Sequence, residues 1–180
     1  MHLRAQLALS IGIIVMPATL SAQPMAPRIA GHGAIAPLTG DETRADPALR
    51  YRLVFNVTKA AAAPDKVNPS LDKVARLLNL LGRDAIRPAA GDIVVIVHGA
   101  ATPIVASSAV YEAKTKAKLN PNLELIKKLR DAGVTVAVCS QALHANRITA
   151  KDLAPGVRVD LSAMTTLAAL QLRGWALIPD

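Results

Sequence analysis

Aromatic residues make up only 2% of this 180-residue chain, and it has a single cysteine, Cys139. The first scarcity argues against a stacking platform for single-stranded nucleic acid. The second excludes an intramolecular disulfide. The four histidines, at positions 2, 32, 98 and 144, show no metal-ligand spacing. No GxGxxG or Walker sequence follows a strand pattern. No zinc-finger or RNP-like signature and no internal repeat is present. A metal, a nucleotide cofactor and a nucleic-acid partner therefore have no support in the sequence.

What is there is aliphatic. Hydrophobic residues reach 52%, so the core is built from Ala, Val, Leu and Ile. The length suits one domain with a sizeable core. Residues 1–22, MHLRAQLALSIGIIVMPATLSA, read as a secretory signal peptide: basic Arg4, an apolar run from Leu7 to Val15, then Pro17 and small residues. The apolar run is short for a membrane span. The reading predicts cleavage after Ala22 and a soluble mature protein without a membrane span, periplasmic or secreted. An uncleaved N-terminal anchor is the alternative. Residues 23–49, rich in Pro, Gly and Ala, read as an extended lead segment lying across the domain surface. His32, between two glycines, reads as a loop residue.

From residue 50 onward strand and helix patterns alternate. YRLVFNV predicts a strand. NPSLDKVARLLNLLG predicts a helix with Asn68 as N-cap, Pro69 in the first turn, Gly82 at the end, and a buried stripe of Leu71, Val74, Ala75, Leu78 and Leu81. DIVVIVHG and VTVAVC are apolar on both faces, as central strands of a parallel sheet are. NPNLELIKKLRDAG predicts another capped helix. VRVDL, SAMTTLAALQLRG (capped by Ser162) and WALIP predict a strand, a helix and a last strand. The alternation predicts a three-layer α/β/α sandwich with a mostly parallel five-stranded sheet.

In such sheets ligands bind outside the carboxyl ends of the strands. His98 and Cys139 each stand at a strand end. Cys139 also precedes a helix pattern, SQALHANRI, whose first N–H groups would stabilise a thiolate. Such a thiolate is a nucleophile that can take up sulfur as a persulfide. The same residue also reads as a buried small hydrophobe, or as one half of an intermolecular bridge. His98 is either a partner of the thiol or a strand-end residue that satisfies loop backbone. Tyr111 is read as packing with a wet hydroxyl. The net charge of +8 draws on Lys114, Lys116, Lys118, Lys127, Lys128 and Arg130. Without interleaved aromatics it reads as a solvated face; an anionic partner is the alternative.

Taken in order, VHGAAT, NPNLELIKKLRDAGV, VAVCSQAL and LSAMTTLAALQLRGWALIP resemble the DsrE/DsrF-like family, most closely its exported single-domain branch. The lead IAGHGAIAPL is also similar to that branch. The resemblance covers about residues 50–180. It implies a five-stranded parallel sheet, assembly into trimers or hexamers, and a persulfide-carrying cysteine at the position of Cys139, as in sulfur-relay members. His98 and Gly99, Gln141, and the Ser162 to Thr165 run match motifs of that branch. The branch commonly reads Cys-Gly-Gln. Ser140 stands in the glycine position here, where a positive φ would strain it.

Three functions follow as expectations. The first is sulfane-sulfur handling on Cys139 with His98, with Ser140, Gln141, Gly99 and Thr165 around the substrate and a sulfur donor or acceptor protein as partner. The second is a non-catalytic homo-oligomeric binding module in which Cys139 is structural. The third is anion binding by the basic surface. No resident cofactor is expected.

Overall fold

The structure, a computed structural model, describes residues 28–180. The predicted signal peptide and the first residues of the lead segment lie outside the described residues. Five strands form one sheet: β1 (Leu53–Val57), β2 (Ile93–Val97), β3 (Thr135–Cys139), β4 (Arg158–Asp160) and β5 (Ala176–Ile178), in the order β4-β3-β2-β1-β5. Every pairing is parallel, so the predicted mostly parallel sheet is parallel throughout. The helices are α1 (Pro69–Arg83), α2 (Ser108–Thr115), α3 (Leu123–Asp131), α4 (Ser140–Ala145) and α5 (Ala163–Leu172).

Topology decides which face each helix covers. From β1 to β4 the chain steps across the sheet in one direction. Right-handed crossovers therefore place α1 and α3 on the same face. The connection from β4 returns past β1 to β5 in the opposite direction, so α5 falls on the other face. Two cores result. The larger joins Val57, Val97 and Val138 to Leu71, Leu78, Leu125 and Leu129 under α1 and α3. The smaller holds Val54, Val94, Ile96, Ala137, Cys139 and Ala163 under α5.

Local chemistry sets the element ends. Asn68 caps α1 by accepting hydrogen bonds from the N–H groups of Ser70 and Leu71. The predicted stripe is buried in full. Truncating Leu78 in it, as Leu78→Ala, would cost about 2–5 kcal/mol. Gly82 does not end the helix. α1 continues through Arg83, and Ala85 takes the positive φ beyond it. Gly133 does serve as the left-handed residue after α3, at φ +90°. Asn122, at the start of α3, caps nothing with its side chain. Its Oδ1 accepts from the Asn68 N–H at 2.7 Å, and its amide donates to Asn120 Oδ1 at 2.9 Å. Asn120 in turn donates to the carbonyls of Ile104 and Ala106. This buried amide ladder ties three loops together at the carboxyl end of the sheet. The Asn-Pro-Asn step is thus structural.

The part of the lead segment that is described lies on α1. Asn79, buried, accepts from the Ile29 N–H at 2.8 Å and donates to the carbonyls of His32 and Gly33 at 2.9 and 3.0 Å. Gly33 sits so close to α1 that a Cβ there would stand 2.2 Å from the Arg76 nitrogen. Only glycine permits that contact.

Candidate functional site

β2 and β3 are paired with Val97 opposite Val138. The next residue of each, His98 and Cys139, is thus level with the other on adjacent strands, whose spacing is about 4.8 Å. Val97 and Val138 face the larger core. Pleat alternation turns the residues after them to the α5 face, and Cys139 does pack in the α5 cluster. Asn56, near the end of β1, shares that face, and its Oδ1 lies 2.6 Å from His98 Nε2. With Nε2–H paired to this oxygen, Nδ1 is the ring's remaining acceptor. From β4, Asp160 is opposite Cys139. Its carboxylate accepts from Arg158 at 2.7 and 2.9 Å and from Thr166 Oγ1 of α5 at 3.0 Å.

The carboxyl edge therefore carries Asn56, His98, Cys139 and Asp160 from four consecutive strands on one face. Burial lowers the His98 pKa below its ordinary value, with Asp180 pulling weakly the other way. That burial favours the neutral ring, whose Nδ1 is then an acceptor. Cys139 is 6% exposed, among Ile96, Ala137 and Ala163, with Ala142, Leu167 and Trp175 around the cluster.

The remaining predicted site residues are distributed around this row. Ser140 opens α4 and does not have a positive φ, so it carries no backbone strain in place of glycine. Its hydroxyl donates to the Leu161 carbonyl at 2.8 Å. Gln141 is exposed, with its amide 3.3 Å from Ser140 Oγ and 3.4 Å from the Leu161 carbonyl. α4 ends at Ala145 and Arg147 takes a positive φ. The predicted helix through Ile148 is thus one and a half turns long. Thr165 is exposed in the first turn of α5. Its N–H is capped by Ser162 Oγ at 3.1 Å, and its hydroxyl returns to the Ser162 carbonyl. Gly99 adopts φ +60°, and a Cβ on it would stand 3.3 Å from the Thr58 carbonyl. That geometry lets the chain turn sharply after His98. Tyr111 is buried in the larger core and its hydroxyl donates to the Pro64 carbonyl at 2.8 Å, which is packing with a satisfied hydroxyl.

Sequence reasoning missed Asn56, Asp160 and Thr166. Asn56 had a signal: it is the one polar residue in LVFNV. Asp160 and Thr166 had none, because only the pairing of β4 with β3 brings them beside the thiol strand. Among the described residues no group of acidic, histidine or cysteine side chains is arranged to hold a metal ion, and no helix is long and apolar enough to cross a membrane. The basic run on α3 is largely engaged at home. Lys127 pairs with Asp131, Lys128 with Glu124, and Arg130 donates to the Pro155 carbonyl.

A search of the curated proteins finds no match to the chain. Among solved structures, the fold is similar to that of MTH1491 from Methanobacterium thermoautotrophicum, described as a protein of unknown function. The TM-score is 0.52 at 22% identity, over 72% of this chain and 99% of that one. That likeness concerns the fold. The model of the DsrE/DsrF-like family matches residues 51–179, nearly the whole of the α/β domain whose carboxyl edge is described above; the chain belongs to the DsrE/DsrF-like family.

Proposed function

We propose that the protein handles sulfane sulfur on Cys139, as a persulfide carrier or sulfur-binding protein, in an exported homo-oligomer. The observation that carries this reading is the level placement of His98 and Cys139 at the carboxyl edge, with Asn56 holding the imidazole. A neutral His98 takes the thiol proton. The Cys139 sulfur then attacks the sulfane sulfur of a polysulfide or a donor protein's persulfide. A Cys139 S–S bond forms, the donor's S–S bond breaks, and the donor leaves as a thiolate or shorter polysulfide with the bonding electron pair. No net redox partner is required. Ser140 and Gln141, on the rim beside Leu161, are the polar groups available to the outer sulfur. The N-terminal pattern in residues 1–22 supports export to the periplasm or medium.

A second reading rests on the low exposure of Cys139 and its apolar packing. In it the thiol is a core residue of a non-catalytic oligomeric binding module. Intact mass spectrometry after incubation with polysulfide separates the two. A +32 Da series, in steps of about the mass of one sulfur atom, on the native protein and absent from Cys139→Ser supports sulfur handling. An unmodified native protein supports the module.

A further inference from the structure

On the layer opposite Cys139, α3 forms one wall of a cavity of about 430 Å³ that this domain's proposed sulfur chemistry does not use. Leu123, Ile126 and Arg130 line it from α3, Ser107 and Ser108 from the start of α2, and Leu153, Ala154 and Pro155 from the segment leading to β4. The volume is within the range of small-ligand pockets, about 300–1,000 Å³. The surface is mainly apolar, with polar groups at its two ends. Ser108 accepts a hydrogen bond from the Asn120 N–H, which places the serines beside the start of α3. Arg130 lies seven residues along α3 from Leu123, roughly 10 Å at the helical rise.

Arg130 is held in place. One of its terminal nitrogens donates to the Pro155 carbonyl at 2.6 Å. Gly156 lies against the guanidinium at φ +72°, where a Cβ would stand 1.8 Å from the other terminal nitrogen. Lys127 and Asp131, which also line the cavity, pair with each other at 2.6 Å, so their charges offset. Arg130 has no carboxylate partner among the described residues, and the rest of its fork has no acceptor there. The cavity thus presents an apolar channel ending at an oriented, uncompensated guanidinium, the group best matched to a planar carboxylate.

We propose that this groove binds an amphipathic monocarboxylate, an organic acid with an apolar body about 10 Å long, its carboxylate on Arg130 and its tail along Leu123, Ile126 and Leu153 toward the serines. The probe is decanoate, with decanol as its neutral counterpart, titrated into the full chain by calorimetry and by methyl chemical shifts of the leucines and isoleucines. Decanoate should bind in the micromolar to low millimolar range, shift Leu123 and Leu153, and bind more tightly than decanol. Arg130→Gln should weaken it about tenfold or more, the loss expected for a charge-assisted hydrogen bond. Gly156→Ala, which keeps the charge but displaces it, should weaken it as well. Cys139→Ser should bind as the native protein does, so failure of the sulfur reading leaves this result intact. Equal binding of decanol, indifference to Arg130→Gln in a variant with native circular dichroism, or shifts confined to the α5 face would each overturn the proposal.

Discussion

Cys139 ends β3 on the same face, and at the same level, as His98 ends its run out of β2, and Asn56 Oδ1 lies 2.6 Å from the imidazole Nε2. The pairing of two buried parallel strands fixes this relationship. Strands packed on both faces cannot slip by one residue without turning every side chain to the wrong side.

The first prediction follows from that pairing. His98→Ala should slow alkylation of Cys139 by iodoacetamide at neutral pH about tenfold, a conservative share of what a positioned base supplies. Asn56→Ala should slow it less, because the base survives but loses its orientation. A native thiol that reacts only in the unfolded protein would instead assign Cys139 to the core.

The lowered His98 pKa also has a stability consequence. The folded protein disfavours the charged ring, so the unfolded chain binds more protons as the ring titrates. The contribution of His98 to stability is therefore complete above about pH 6.5, the unfolded value, and declines as pH falls toward the lower folded value. Urea melts between pH 5 and 7.5 should show this slope in the native protein and a flatter profile in His98→Gln.

Asp180 acts in a more acidic pH range. Burial tends to raise its carboxyl pKa, but hydrogen bonds from Ser70 and Thr58 and from the N–H groups of Thr58 and Lys59 outweigh burial and hold it down at about 2. Its contribution is present above the ordinary carboxylate value of about 3.9 and is lost as pH falls through about 2. Because the group is partly solvated, Asp180→Asn should cost only about 1–2 kcal/mol at pH 7. Thermal melts would read this loss, and the variant's difference from native should shrink near pH 2.

Asn79 joins α1 to the lead segment through a buried side chain. Asn79→Ala leaves the Ile29 N–H without its acceptor, and should cost about 2 kcal/mol. Hydrogen exchange should show residues 29–33 losing protection while β2 and β3 keep theirs. Unchanged exchange at Ile29 would mean that burial of its side chain, with the bonds from Lys128 to the Ala30 carbonyl and from the Gly33 N–H to Asp72, holds the segment without Asn79.

Assembly is tested on the α5 side. Met164 is 80% and Leu172 89% exposed, and Leu161 and Leu177 lie exposed nearby in sequence and sheet. Among the described residues this face of the five-stranded sheet is covered by α5, with Ala142 of α4 at its edge, and such apolar surface is what a symmetric partner covers. Light scattering should find a multiple of the monomer mass, reduced to one subunit in Met164→Glu with Leu172→Glu. A monomeric native protein at micromolar concentration contradicts the proposed oligomer.

Much of this was determined by the sequence alone. The apolar runs of β2 and β3 could be satisfied only between two layers, and the spacing from Leu71 to Leu81 allowed only a helix with one buried face. Asn68 and Ser162 marked helix starts because a short polar side chain is the cheapest acceptor for the first N–H groups. Local chemistry also placed His98 and Cys139 at strand ends. What it could not decide was anything that depends on pairing between distant segments. That α5 lies on the face opposite α1 and α3 follows from the direction of the last crossover. The level placement of His98 and Cys139 follows from register, and Asn56 and Asp160 join them only because β1 and β4 flank β2 and β3. Gly156 beside Arg130 lies 26 residues away along the chain, and no local pattern could connect them. Local preference is a property of a few neighbouring residues. The site is a property of the sheet, because hydrogen bonds between strands bring side chains together that the chain itself keeps far apart.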